Sequence, residues 1–347
     1  MTLRRRHWLG FALGAGLGGG ACAAGAALLW RERALRGFGT TLWLLAGAAD
    51  AATLERGLDA AVAAIRHVER LMSLFDPASA VSRLNRDGAL RDPHPDLVRV
   101  LRLAQRVAEG SSGAFDVTVQ PLWQLWQRAT REGRMPSGAE LREARARTGW
   151  RRLRVSAARI DFAAPGMAVT LNGIAQGFAA DLARDALRAH GIGDALLDTG
   201  EWQMLGRSPE RGTWQLGLAD PRDARRMLAT LAADGRGVAC SSDDKLAFSA
   251  DRVHHHILDP RSGDSPPHLS TVVVAAPSCA LADALTKVMF MHPAREAPGL
   301  AARWGCDVLA IDKQGRPVAS TGLAWKPAPA AATAILDDIP FTPHAPR

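Results

Sequence analysis

Between residues 53 and 72 the apolar positions Leu54, Leu58, Val62, Ile65, Val68 and Leu71 recur three and four apart, so the spacing predicts an amphipathic helix. The same period predicts helices over 96–109, 174–189 and 280–291. Apolar and β-branched runs predict strands at 40–46, 153–155, 159–162, 168–171, 195–198, 216–218 and 270–276. Residues 31–37 read as an arginine-rich joint, a loop holds Asp76, Pro77 and Ser79, and 124–147 reads as a polar, basic surface excursion. Helices and strands alternate irregularly, with hairpins between them. That order predicts an α+β fold of mixed helices and largely antiparallel strands rather than a doubly wound sheet. No internal repeat is present, and the Pro/Ala-rich stretch 328–347 reads as a tail.

The chain's 347 residues suffice for one large or two medium domains. Its net charge of +8 suggests nucleic acid until the charge is located. Six arginines against one glutamate in residues 1–36 account for +5, and the +3 left over is too little for a nucleic-acid footprint. The charge belongs to the N-terminus. Arg4-Arg5-Arg6-His7-Trp8-Leu9 precedes an uncharged Ala/Gly/Leu run to Trp30, which reads as a twin-arginine-like export signal over 1–30, either cleaved or kept as an anchor. The working part is expected in the periplasm, free or held at the inner membrane. Cys240, Cys279 and Cys306 form no close pair and read as buried free thiols.

Five segments offer chemistry. The Gly14–Gly19 match to a dinucleotide fingerprint lies inside the export signal, without a preceding strand, and is discarded. In 170–181, Thr170-Leu171-Asn172-Gly173-Ile174-Ala175-Gln176-Gly177 runs from a strand through small residues into a helix. Free N–H groups at such a helix start favour an anion, although the same junction also serves as a packing device. Phe115-Asp116-Val117-Thr118 sets a carboxylate in apolar surroundings, where it either caps the next turn or receives hydrogen bonds from a ligand. His254-His255-His256 alternates in direction if extended, so at most two rings share a side, which makes a poor zinc site and a better source of one general base. In the following turn Asp259 is placed to orient a histidine, or Arg261 to face a phosphate. Asp283 and Lys287, four apart on one helix face, form an ion pair or, alternatively, Asp283 supplies oxygen to Mg²⁺.

Taken in order, these segments resemble the FAD:protein FMN transferase family, ApbE. The resemblance is carried by Gly39-Thr40, Met72-Ser73-Leu74-Phe75, Ser82-Arg83-Leu84-Asn85, Gly113-Ala114-Phe115-Asp116-Val117-Thr118-Val119, Leu171 to Gly177, Ala239-Cys240-Ser241-Ser242, His256-Ile257-Leu258-Asp259-Pro260 and Ala282-Asp283-Ala284-Leu285. It spans roughly 37–325 and implies an ApbE-like domain there. The implied reaction is Mg²⁺-dependent: FAD is bound, a threonine hydroxyl of an acceptor protein attacks the FMN phosphorus, and AMP leaves. By the same resemblance Met72, Ser73, Ala114, Phe115, Asp116, Thr170, Gln176 and Ile257 would line the flavin nucleotide, and His256 is the candidate base. The family's metal positions fall on the Gly173 carbonyl, Asp283 and Lys287.

The chain departs from that pattern where charge matters most. The usual opening aspartate is Thr170, the usual lysine is Gln176, the usual Thr-Ser-Gly is Cys240-Ser241-Ser242, and the ligand one turn after Asp283 is Lys287, with Thr286 before it. The acidic turn reads Asp198-Thr199-Gly200-Glu201. An ammonium cannot ligate a metal, so one consequence is that Lys287 takes over part of the pyrophosphate neutralisation, with the metal held more weakly. The alternatives are a non-catalytic FAD-binding accessory or flavin donor and, on the histidines alone, a zinc hydrolase.

Overall fold

The computed structural model describes residues 28–329 except 211 and 224. Residues 1–27 of the expected export signal over 1–30, and the expected tail from 330, lie outside the described residues. Strand β1 (Leu29–Gly37) and β2 (Thr40–Ala48) form a hairpin whose two turn residues, Phe38 and Gly39, have φ of 50° and 77°. Two left-handed residues match the twist of a tight hairpin. The expected arginine joint is thus a strand. It runs along the sheet edge with Arg31 and Arg36 exposed and Arg33 partly so, and those charges both hide the strand pattern and blunt the edge.

Helix α1 (Ala51–Met72) starts at Asp50, whose carboxylate caps Thr53 N at 2.8 Å. After it come α2 (Ala80–Asp87), absent from the sequence reading, then β3 (Ala89–Arg91) and α3 (Pro95–Gly110). The expected surface excursion contains α4 (Gln120–Arg131) and α5 (Gly138–Ala146). Their inner faces bury Leu125, Trp126 and Ala144 over Leu258 in a small core, and Trp126 donates to the Gly263 carbonyl at 2.8 Å. β4 (Leu153–Val155) and β5 (Arg159–Phe162) complete a side sheet in which β5 pairs with both β3 and β4.

Residues 168–171 do not form the expected strand. Their backbone groups go elsewhere: Asn85 bridges Val169 N and O with its side-chain amide, and Thr170 N donates to Val117 O at 2.8 Å. Satisfied this way, the segment stays extended without a ladder. Helix α6 (Ala175–Ala189) follows, then β6 (Asp194–Asp198), β7 (Trp202–Leu205), β8 (Gln215–Ala219), β9 (Met227–Ala232), β10 (Gly237–Ser242) and β11 (Leu269–Ala276). The chain ends with α7 (Cys279–Phe290), α8 (Ala297–Arg303), β12 (Asp307–Asp312), β13 (Pro317–Ala319) and β14 (Trp325–Pro327).

The main sheet has the order β1-β2-β6-β7-β10-β11-β12-β13, and every adjacent pair is antiparallel. Period-two alternation divides β11 between two cores. Val272 and Val274 face α1, α6 and α7, while Val273 and Ala275 face the small β14-β9-β8 sheet. The α+β expectation therefore holds, in three layers. No helix among the described residues is long and apolar enough to cross a membrane.

Three backbones converge at Cys279. A Cβ on Gly177 of α6 would lie 2.3 Å from Cys279 O, and one on Gly237 of β10 would lie 2.5 Å from Cys279 N. Only hydrogen fits at either place. Gly177→Ala is expected to cost about 1–3 kcal/mol by forcing the helices apart. Gly193→Ala, with nothing within 4 Å of its Cβ, should be nearly neutral. Denaturant unfolding of the two variants checks this; equal midpoints would show that the α6–α7 contact yields freely.

Candidate functional site

The α6 start, the α1 end, the 113–119 turn, the 199–201 turn and the 256–258 segment surround one cleft. Every expected site residue lines it except Asp283, which lies beneath. Its apolar wall is made by Met72, Ala114, Phe115, Trp123 and Ile257, with Phe38 and Phe75 also on the cleft and Phe75 73% exposed. Such a wall suits a flat aromatic ring system.

Asp116 is buried, and its oxygens accept from Thr118 N (2.8 Å), Thr118 Oγ1 (2.7 Å) and Trp150 N (2.8 Å). Burial pushes its pKa above the ordinary value, with those hydrogen bonds opposing. Of the two readings open in the sequence, the geometry shows the cap: Asp116 opens a 3-10 turn and ties it to Trp150. The α6 start also differs from expectation. Of its first three N–H groups, Ala175 N donates to Leu171 O at 2.8 Å and Gly177 N to Asp283 Oδ2 at 3.4 Å. Gln176 spends its amide on Thr199 O at 2.8 Å, and Thr170 Oγ1 accepts from Asn172 N at 3.3 Å. Positive charge in the cleft comes from Lys287 and Lys245 instead.

The three histidines separate as an extended segment would separate them. His254 stacks on Trp126, with centroids 4.9 Å apart, and bonds Asp264 at 2.7 Å. His255 is buried, and burial, chiefly, pulls its pKa down to about 4. His256 lines the cleft, its Nδ1 3.3 Å from the Leu246 carbonyl. A carbonyl only accepts, so Nδ1 carries the proton and Nε2 is the basic nitrogen of the neutral ring. Asp259 pairs with Arg261 at 2.7 Å and not with a histidine, and Arg261 does not line the cleft. Among the described residues, the group of three with metal-ligand proximity is His67, His94 and Asp96, off the cleft, so the zinc reading of His254 and His256 has no third ligand.

Beneath the cleft, Asp283 is fully buried and forms a salt bridge with Lys287 Nζ. Glu201, which the sequence showed only as part of an acidic turn, joins them. It is buried, lines the cleft and accepts from Cys240 N at 2.9 Å. Its setting between a glycine turn and the apolar start of β7 was the available signal. Burial, then the Asp283 carboxylate, pushes the Glu201 pKa well up, with Lys287 opposing. For Lys287, burial favours the neutral amine, but the Asp283 and Glu201 carboxylates outweigh it, so the group stays an ammonium. Cys240, pushed up to about 12 by burial and then by Glu201, is no nucleophile; Cys279 and Cys306 are buried free thiols.

This donor set does not fit Mg²⁺. Lys287 is no ligand and already occupies Asp283. The Thr286 hydroxyl donates to Asp283 O at 2.7 Å and meets Ser241 Oγ at 2.8 Å. A Cβ on Gly173 would sit 3.2 Å from Lys287 Cε, so the lysine stem lies against Gly173. At an effective dielectric near 20, an ammonium about 4 Å away repels a divalent ion by roughly 8 kcal/mol, which cancels what one carboxylate offers.

A family model, the ApbE family, matches residues 38–310, most of the chain. This chain belongs to the ApbE family. It is similar to the FAD:protein FMN transferase of Haemophilus influenzae, at 28% identity over 69% of this chain and 73% of the relative. The one from Vibrio cholerae is 29% identical over 72% and 76%. The apo flavinyl transferase ApbE of Pseudomonas stutzeri superposes with a TM-score of 0.71 at 26% identity, covering 85% of this chain and 96% of that one. By its family the chain is a transferase, with the ApbE flavin-transferase fold.

Asp116→Asn puts an amide where three donors converge, and unpaired buried donors cost about 1–3 kcal/mol. A matching loss of stability is expected in thermal unfolding without flavin. An unchanged melting temperature with weakened FAD binding would make Asp116 a ligand contact instead of a cap.

Proposed function

We infer that this chain moves FMN from FAD to a threonine of an acceptor protein, releasing AMP, and that it works in the periplasm. The observation that carries the reading is the convergence, in an ApbE-family cleft, of an aromatic wall, a histidine and a partly buried ammonium. The wall would take the isoalloxazine ring. Lys287 and Lys245 would face the pyrophosphate, whose two negative charges otherwise repel a nucleophile. His256 Nε2 would accept the threonine proton as Oγ bonds to the FMN phosphorus. The bond from that phosphorus to the bridging oxygen then breaks, and the oxygen leaves with AMP. No step here runs through Mg²⁺, because the residues that would hold it are engaged with Lys287.

The twin-arginine stretch before residue 10 supports export, and anchoring at the inner membrane is the companion proposal. The acceptor is a protein presenting a threonine to the cleft mouth, where exposed Phe75 offers apolar surface.

Incubation of the purified protein with FAD and a threonine-bearing acceptor is expected to give equal amounts of AMP and FMN-modified acceptor by mass spectrometry. His256→Ala should lower kcat by about 10²–10⁴-fold while FAD still binds. If FAD is retained intact across several acceptors, the protein is an FAD-binding accessory instead.

A further inference from the structure

Four observations around Lys287 point beyond that reading while resting on it. The ammonium is pinned from below by Asp283, which is fully buried on the same helix face one turn earlier. Glu201 reaches the same charge cluster from the turn between β6 and β7, held by Cys240 N. The Lys287 stem packs on Gly173, and its side chain, 21% exposed, lines the cleft. Meanwhile Gln176, where the family pattern has a lysine, is neutral and turned to Thr199 O. The cleft therefore keeps a fixed cation, but has moved it to the seat that a metal would need.

We propose that Lys287 Nζ is itself the electrophile that neutralises the FAD pyrophosphate, so that this chain transfers FMN without a divalent metal. Asp283 is a positioning residue, aiming the ammonium through their salt bridge. An ammonium has three N–H donors; Asp283 takes one, and the others are available to phosphate oxygens. Lys245, partly exposed on the same cleft and 3.3 Å from Asp244, is a second ammonium there. The bonds made and broken are those of the transfer itself. Lys287 stays protonated throughout, and the threonine proton goes to His256.

The test has two arms. In the first, wild type is assayed for AMP release with FAD and acceptor, in EDTA and in millimolar Mg²⁺. Equal rates are expected, and a tenfold or greater loss in EDTA that Mg²⁺ restores would overturn the proposal. In the second, Mg²⁺ is titrated calorimetrically into wild type, Lys287→Thr and Lys287→Met, each loaded with FAD. Binding to Lys287→Thr alone is expected, because the threonine frees Asp283 and adds an oxygen; binding to wild type would overturn the proposal. Lys287→Met should lose about 10²–10³-fold in kcat with or without Mg²⁺, as removal of one charge-stabilising donor does. Lys287→Thr should lose as much in EDTA and recover in Mg²⁺. Failure of all variants to release AMP, wild type included, would sink the transferase reading, and the calorimetry would still decide what occupies the metal seat. Neither wild-type measurement depends on a variant folding.

Discussion

The site depends on how one buried carboxylate caps one helix. Asp181 of α6 accepts from Cys279 N at 2.9 Å and Ala280 N at 3.0 Å, the first two donors of α7, and Arg184 balances its charge at 3.1 Å. Each of those N–H groups, if buried unpaired, would cost about 1–3 kcal/mol. Ser278 caps the next donor, Leu281 N, at 3.2 Å. With Gly177 and Gly237 admitting the backbone at Cys279, the rotation of α7 about its own axis is set. One turn on, Asp283 must point at the α6 start, and another turn on, Lys287 must lie against Gly173. The charge cluster is thus a consequence of helix packing.

That geometry gives the cleft an electrostatic character unlike an open carboxylate site. A carboxylate without a partner under a phosphate cleft would call for a metal ion. Here it carries its own cation, four residues away on the same face, and a second carboxylate reinforces that cation. The arrangement is costly, because desolvating ions is expensive, and it persists where a fixed, oriented charge has a use. The same economy appears at Asp116 and at the α6 start, where Ala175 N and Gly177 N are already paired within the protein. An apolar wall, two ammoniums and one imidazole line the cleft.

How well each element could be read from sequence follows from where its hydrogen bonds and charges go. Helices α1, α3 and α6 bury one face, α7 is buried nearly all round, and the period of each is plain in the chain. β1 was missed because its outward positions are arginines on an edge. The expected strand at 168–171 failed because a side-chain amide 84 residues away, that of Asn85, takes the place of a neighbouring strand. Helices α4 and α5 were taken for a surface excursion because residues 124–147 carry six arginines against four buried apolar residues, Leu125, Trp126, Ala129 and Ala144.

By itself the sequence determined the α+β class, the order of the motif segments and the residues that meet in the cleft, since these rest on local period and on residue types in series. It also held the Asp283–Lys287 pair, four apart, but not whether that pair is a surface ornament or a buried charge. Only the tertiary structure decided that. Burial removes the water that would otherwise screen the pair, and it brings Glu201, 82 residues from Asp283, into the same electrostatic cluster. Long-range desolvation and Coulomb energy depend on distances through space, which no pattern along the chain encodes.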